Sequence, residues 1–222
     1  MGFIHEDRFE VQDIEAITTG GGRRYKVPNG ELYESVTTAL GRQPEKIRAL
    51  AKWRRRVGEA EANRITRLTS NRGTRMHTMC EHYLNNDEDY IRNAMPTTIE
   101  LFRTIQPILD KAITKVYMQE APLWSHKYRL AGRVDCVADI KGKLSVIDYK
   151  TSSKTKKREW VKDYFRQTAA YSHMIEEMYG DTVDQTVIFI AVVDRDPQIF
   201  VGDPHTDIQD TFFQERLHEE NI

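Results

Sequence analysis

Two cysteines in 222 residues are too few for a disulfide framework, and too few for the four thiolates of an iron–sulfur cluster. Cys80 falls in a helical pattern and Cys136 in a strand pattern, so both are expected as buried thiols of a reducing compartment. No apolar run approaches the ~20 residues that a membrane-spanning helix needs. The opening residues Met1-Gly2-Phe3-Ile4-His5-Glu6-Asp7 carry two acids and no hydrophobic stretch. That leaves no signal or transit peptide to read and predicts a cytoplasmic chain without membrane association. Internal repeats and low-complexity segments are also missing. What remains, 39% hydrophobic and 30% charged residues, suits one soluble domain with a sizeable core, expected as a monomer.

A net charge of −1 hides a segregation. From Arg42 to Arg75 there are eleven Lys/Arg against three Glu, and from Lys150 to Arg166 seven against two acids. From Asp203 to Ile222 one Arg faces six acids. A polyanion senses the two basic segments rather than the mean.

Along the chain, Arg24–Val27 and Glu31–Tyr33 flank Pro28-Asn29-Gly30, a hairpin signal. Helices are predicted over 44–57, 58–69 and 72–85. In the first, Ile47, Leu50, Ala51 and Val57 form a narrow stripe, with Trp53 beside Arg54, Arg55 and Arg56. Pro96 opens a predicted core helix running to about Met118 through Ile99, Phe102, Ile105, Leu109, Ile113 and Val116. Residues 120–150 alternate as strands, Arg158–Tyr179 is amphipathic, and Val187–Val193 is a buried strand, extended by Phe200-Val201. Residues 206–220 form a closing acidic helix. The expected fold is mixed α/β, a central mixed sheet flanked by helices. Residues 1–43 would supply strands and a hairpin, 44–118 a helical region forming an arch, 119–202 the sheet core and 203–222 the closing helix.

One segment carries chemistry. Val134, Cys136, Ala138 and Ile140 alternate, Lys141-Gly142 turns the chain, and Leu144, Val146 and Asp148 alternate again. With Lys141 and Gly142 as the loop, Ile140 pairs with Lys143. Counting back, Asp135 lands opposite Asp148, Cβ atoms roughly 4.5–5.5 Å apart. Lys150 lies on the same strand face as Asp148, ~6–7 Å further on. Opposed carboxylates repel unless something neutralises them, and a hard divalent cation does so through oxygen ligands. A lysine beside them can reach a metal-bound water or a phosphate oxygen, an arrangement suited to phosphodiester hydrolysis in which Lys150 orients or deprotonates the nucleophile. On spacing alone, a surface hairpin with two aspartates and an ordinary lysine explains the pattern equally well.

The segment resembles the PD-(D/E)xK nuclease superfamily, with Asp135 as its first acid and Asp148-Tyr149-Lys150 as its D-x-K. Arg72-Gly-Thr-Arg-Met-His77 followed by Glu81, and Gln167-Thr-Ala-Ala-Tyr171, are similar to the histidine and Q-x-x-x-Y motifs of the RecB-like branch. Ser35-Val-Thr-Thr-Ala-Leu40, the Trp-bearing basic helix and Asp-Tyr-Lys-Thr-Ser152 resemble the mitochondrial genome maintenance exonuclease family. That resemblance implies a restriction-endonuclease-like core and a single-strand-specific DNA exonuclease that needs a free end and Mg²⁺ or Mn²⁺. The missing transit peptide favours a phage or bacterial member, with replication or recombination proteins as partners.

Carried over, His77 becomes a further metal ligand with Glu81 as a candidate ring partner, and Tyr149 offers its backbone carbonyl while its side chain is core. Glu120 either supports the metal or ends a helix. Gln167 and Tyr171 contact substrate backbone, brace the lysine, or are a core tyrosine with a glutamine at its rim. Ser35 and Thr37 donate to a phosphate or serve ordinary turn chemistry, and Trp53, Arg54 and Arg75 line the strand's path or the core. The rival readings are a flap or junction endonuclease of the same superfamily and a catalytically silent nucleic-acid-binding module.

Overall fold

The computed structural model describes residues 2–92 and 94–218. After the short strand β1 (Ile4–His5), β2 (Glu15–Thr19) returns as β3 (Gly22–Lys26) and β3 as β4 (Leu32–Ser35). The expected hairpin is therefore present, with Tyr25 opposite Tyr33 and Gly30 at a φ of 88° that its turn requires. Helices α1 (Val36–Gly41), α2 (Pro44–Val57), α3 (Glu59–Leu84) and α4 (Pro96–Ala112) follow. Then come β5 (Ile113–Ser125), β6 (Leu130–Ile140), β7 (Lys143–Ser152), a 3₁₀ turn at Arg158–Trp160 and α5 (Lys162–Tyr179). The chain closes with β8 (Gln185–Val192), β9 (Gln198–Gly202), α6 (Pro204–Asp207) and α7 (Thr211–His218).

Among the described residues all nine strands join one mixed sheet, ordered β2-β3-β4-β6-β7-β8-β9, with β5 along the other side of β6 and β1 beyond it. β7 and β8 run parallel, connected through α5, and β9 closes that end antiparallel to β8. Two cores cover the two faces. On one, Val137, Val146 and Leu123 pack under Ala170, Tyr171 and Met174 of α5 and under Phe213 of α7. On the other, Ile147, Tyr149 and Phe189 pack under Met76 and Cys80 of α3 and Phe102, Ile105 and Leu109 of α4. Alternation along β7 thus sends successive side chains to different helical layers, as a sheet buried on both sides demands.

Several boundaries differ from expectation. The helices predicted over 58–69 and 72–85 are one 26-residue helix, α3. Gly73 costs about 1 kcal/mol against alanine in a helix interior but removes no hydrogen bond, so it does not break it. The helix predicted to reach Met118 ends at Ala112, so the helical region is shorter than expected, and α4 is core rather than arch. Ile113 and Val116 belong to β5, where register shifts between Ile113 and Lys115 and between Val116 and Met118 change the side-chain parity. Two apolar residues three apart then bury on one face, which imitates helical spacing. The α5 helix starts at Lys162 rather than Arg158. The single acidic helix expected over 206–220 is two helices, because Asp203 caps the first through His205 N (3.0 Å) and Asp210 the second through Phe212 N (2.9 Å). Residues 219 and 220 lie outside the described residues. Cys80 and Cys136 are free and fully buried, with burial pushing the Cys136 thiol up to about 12.

Candidate active site

The β6–β7 ladder follows the register expected from the Lys141-Gly142 turn, Ile140 opposite Lys143 back to Cys136 opposite Ile147, with both loop residues at positive φ (55° and 81°). There the ladder stops, one position short of Asp135 and Asp148. On that side of β6, residues 130 and 131 pair with β4 and residues 136–140 with β7, so Asp135 stands at a fork in the sheet. Its Oδ2 accepts the Tyr149 amide at 2.8 Å, taking over the bond that a continued ladder would have made. On the other side Gln119 pairs with Cys136 and Ala121 with Val134, so Glu120 sits across from Asp135. Glu120 holds a φ of 46°, sparsely populated for anything but glycine, inside β5 rather than at a helix end as one reading had it.

Through the fork α3 delivers His77, whose Nδ1 lies 3.4 Å from Asp135 Oδ1. The ring partner is therefore Asp135, not Glu81. Glu81 instead lies close enough to Glu120 to help raise its pKa. Ligand atoms of His77, Glu120 and Asp135 all lie within 4.8 Å of one another. Asp148, 1% exposed, receives the Lys150 ammonium on Oδ1, while its Oδ2 is buried without a hydrogen-bond partner. A buried carboxylate oxygen left unpaired beside a His/Glu/Asp cluster fits a hard divalent cation, with oxygen and imidazole donors and no thiolate.

The electrostatics follow from crowding. Burial and the Asp135 charge raise Glu120 to about 7. Burial raises Asp148 to about 6, against the opposing pull of Lys150. Burial would raise Asp135 as well, but the His77 hydrogen bond and the Lys150 charge hold it below the usual carboxylate range. Burial pushes Lys150 down, and Asp148 and Asp135 outweigh it, so the ammonium stays charged. The tyrosine side chain between the two catalytic candidates does belong to the core, stacked on Phe189 at 6.3 Å.

Gln167 (8% exposed) and Tyr171 (4%) are buried on α5, one turn apart. Gly132, three residues before Asp135, is where a β-carbon would meet the Tyr171 hydroxyl at 2.6 Å. Tyr171 thus packs directly against β6 at Gly132. Ser35 is buried and caps α1, accepting from Thr38 N at 3.1 Å, with the exposed Thr37 hydroxyl 3.3 Å away. Trp53 is half-buried on α2, and Arg54 is tied to Glu59 (Nε–Oε2 3.0 Å) and Asn63, so its guanidinium is committed to the α2–α3 joint. Arg75, two residues from His77 and so on another side of the helix, lines a separate cleft of about 670 Å³ with Thr78 and His82.

Two aromatics were missed in the sequence. The Lys150 ammonium sits 5.2 Å over the Tyr164 ring, and Trp160, 61% exposed, stands one turn before it with Lys157 over its ring at 5.4 Å. An aromatic inside the basic run from Lys154 to Lys162 was the available signal.

The helical pair α2–α3 stands on two feet. At one, Gln43 accepts from Arg166 (2.6 Å) and donates to Asp163 (3.3 Å), and Lys46 pairs with Asp163. At the other, Arg72 bonds Thr151 (3.2 Å) and His77 meets Asp135. Lys150 and Tyr164 lie on the strand and helix that carry these footings. No residue of α2 is buried, and Ile47 and Leu50 are each 54% exposed.

Residues 30–220 match the family model for the PD-(D/E)XK nuclease superfamily. The chain belongs to that superfamily. Among curated proteins, this nuclease is 33% identical over 128 residues to mitochondrial genome maintenance exonuclease 1 of Mus musculus, covering 55% of this chain and 38% of that one. It is 28% identical over 199 residues to the Xenopus tropicalis protein of the same name, covering 85% and 54%. The chain thus spans about half or less of the relatives it matches. A crystal structure of a candidate exonuclease from Eubacterium rectale aligns at a TM-score of 0.42 and 16% identity, over 68% of this chain and 62% of that one. Among the described residues, no helix is long and apolar enough to cross a membrane.

Proposed function

We propose that this nuclease is a divalent-metal-dependent exonuclease that degrades single-stranded DNA from a free end. What supports the reading is that the α2–α3 pair is tied at one end to α5 and at the other to β7 and β6, the elements that carry Tyr164 and Lys150, so that it would bridge the site. One face of α2 carries the exposed side chains of Arg48, Lys52, Arg55 and Arg56. A strand passing beneath such a bridge must be threaded, and a closed circle has no end to thread. The exposed Trp160 offers a stacking face to an unpaired base, a contact indifferent to sequence.

His77, Asp135, Asp148 and the Tyr149 carbonyl would hold Mg²⁺ or Mn²⁺, with Glu120 supporting it. A cation bound there lowers the pKa of its water and offsets charge on the phosphoryl oxygens. The charged state of Lys150 supports an orienting role, its ammonium held by Asp148 Oδ1 and aimed at a phosphate oxygen, over a role as base. Asp135 fixes the His77 ring and the Tyr149 amide together, so one carboxylate orients two neighbouring donors.

The test is digestion of end-labelled linear and covalently closed circular single strands in Mg²⁺, Mn²⁺ or EDTA, beside Lys150→Ala. Linear DNA should be cut and circular DNA spared. Cleavage should vanish in EDTA and fall by about 10²–10⁴ in the variant, with strand binding retained. Equal cutting of both forms would establish an endonuclease instead, and binding without cutting a silent module.

A further inference from the structure

The sheet face beneath α4 runs out of cover at its last strand. Ile199 and Val201 of β9 pair with Phe189 and Val187, which are buried, yet they are themselves 46% and 49% exposed. Ile108 and Ala112 of α4 face them across a cleft of about 500 Å³. Lys111 stands on the α4 wall, and Lys141 and Lys143 close the end at the β6–β7 turn. Among the described residues no carboxylate lines this cleft and none of the three lysines forms an ion pair. The nearby acids are committed elsewhere: Asp139 to Gly142 N and Thr114, Asp184 to Leu144 N, and Asp110 to the Tyr83 hydroxyl. The cleft is remote from the candidate active site, because Lys143 and Lys150 are seven residues apart on one strand, roughly 23 Å.

We propose that this cleft docks a short acidic segment of another protein. One or two bulky apolar side chains of that segment sit on Ile108, Ile199 and Val201, and its carboxylates engage Lys111, Lys141 and Lys143. Charge complementarity selects the occupant: an apolar floor supplies the affinity, while an all-lysine rim without acids steers and orients a negative partner. Nucleic acid is the poorer fit, since the floor is aliphatic and its one ring, Phe189, is 2% exposed, leaving no face on which a base could stack. Addition of a strand to the free edge of β9 is blocked. Arg158 occupies the Val201 carbonyl at 2.9 Å, and the Gln198 side chain bonds Lys156 N (2.6 Å) and O (2.9 Å). The segment therefore lies in the cleft and binds through its side chains.

The experiment is fluorescence anisotropy of a labelled peptide, a run of aspartates ending in two phenylalanines, titrated with the full chain at about 50 and about 500 mM salt. Saturable binding is expected. It should weaken at least about tenfold with Lys111→Glu/Lys143→Glu, with Ile199→Asp, with asparagines for the aspartates, and with serines for the phenylalanines. Thermal melts of both variants should match the parent, which separates lost docking from lost folding. No saturable binding up to roughly 1 mM, or binding indifferent to the variants, overturns the proposal. So does loss of oligonucleotide binding in the lysine variant, which would make this a nucleic-acid surface. A concentration-dependent dimer dissolved by Ile199→Asp would assign the cleft to a second copy of the chain.

Discussion

Glu120→Gln should make the metal-free protein more stable and the metal-bound protein less so. Glutamine keeps the volume and the same left-handed backbone, φ 46°, so the substitution removes a charge and little else. Burial and Asp135 raise the carboxyl from an ordinary 4.5 to about 7, which at ~1.4 kcal/mol per tenfold in proton affinity corresponds to about 3 kcal/mol. Solvent reaches part of the side chain, so about 1–2 kcal/mol is the expected effect. For an acid whose folded pKa lies above its unfolded value, the cost is absent below about 4.5 and complete above about 7. In EDTA the variant should therefore melt with the parent at pH 4.5 and about 2–8 °C above it at pH 8. Saturating Mn²⁺ should stabilise the parent by about 2.7 kcal/mol at a hundredfold excess over its dissociation constant, and the variant by less, so the two melting curves exchange order. Scanning calorimetry across pH 4.5–8, with and without Mn²⁺, reads both halves. If the EDTA difference does not grow with pH, carboxylate crowding at the fork is not the cause of the strain.

Gly132→Ala should cost about 1–3 kcal/mol in urea unfolding, because its β-carbon would meet the buried Tyr171 hydroxyl at 2.6 Å and the ring at 2.9 Å. Adding Tyr171→Leu should recover part of that, and strictly additive costs would show that the two do not touch. Trp160→Ala should weaken single-strand binding by about 1–3 kcal/mol and leave the melting temperature in place, and an unmoved dissociation constant rejects the stacking role. Glu177 caps the turn after β5 through Ser125 Oγ (2.6 Å) and His126 N (2.7 Å). Burial opposes its ionisation, but these bonds and His173 hold it at about 2. Its contribution is present above 4.5 and lost as pH falls towards 2, so Glu177→Gln should cost about 1 kcal/mol at neutral pH and nothing at the acid end of a urea series.

The centre of the site was legible because a two-residue turn fixes the register of everything behind it. Once Lys141-Gly142 is the loop, the ladder follows by counting as far as Cys136 opposite Ile147, and strand parity sends Tyr149 into the opposite layer, whereas the fork that takes Asp135 out of the ladder has no local signature. His77 needed the resemblance, since nothing local distinguishes a ligand histidine from a structural one. Glu120 was half legible: its position was singled out, but the bulges that turn apparent helical spacing at Ile113 and Val116 into strand hid the element it belongs to. Which tryptophan stands free of the fold was hidden for a related reason. Trp53 and Trp160 both lie among basic residues, and only packing reveals that one is half-covered and the other 61% exposed. The footings of the bridge, Gln43 and Lys46 on Asp163, join residues about 120 apart, a pairing no local pattern encodes.

The continuity of α3 has a mechanical meaning. Residues 66–71 are exposed on every side, so between its packed ends the helix is a beam held only by its own backbone bonds. A beam has no give along its length, and the imidazole of His77 rides on it a turn and a half further along. Gly58, at φ 87° and ψ 148°, is by contrast a joint that only glycine adopts freely. Arg54 crosses that joint to Glu59 and Asn63, so side chains tie what the backbone alone would leave free. A β-carbon at position 58 would meet no neighbouring atom, so its cost would be the backbone conformation alone, and it would fall on the angle between the two limbs of the helical pair.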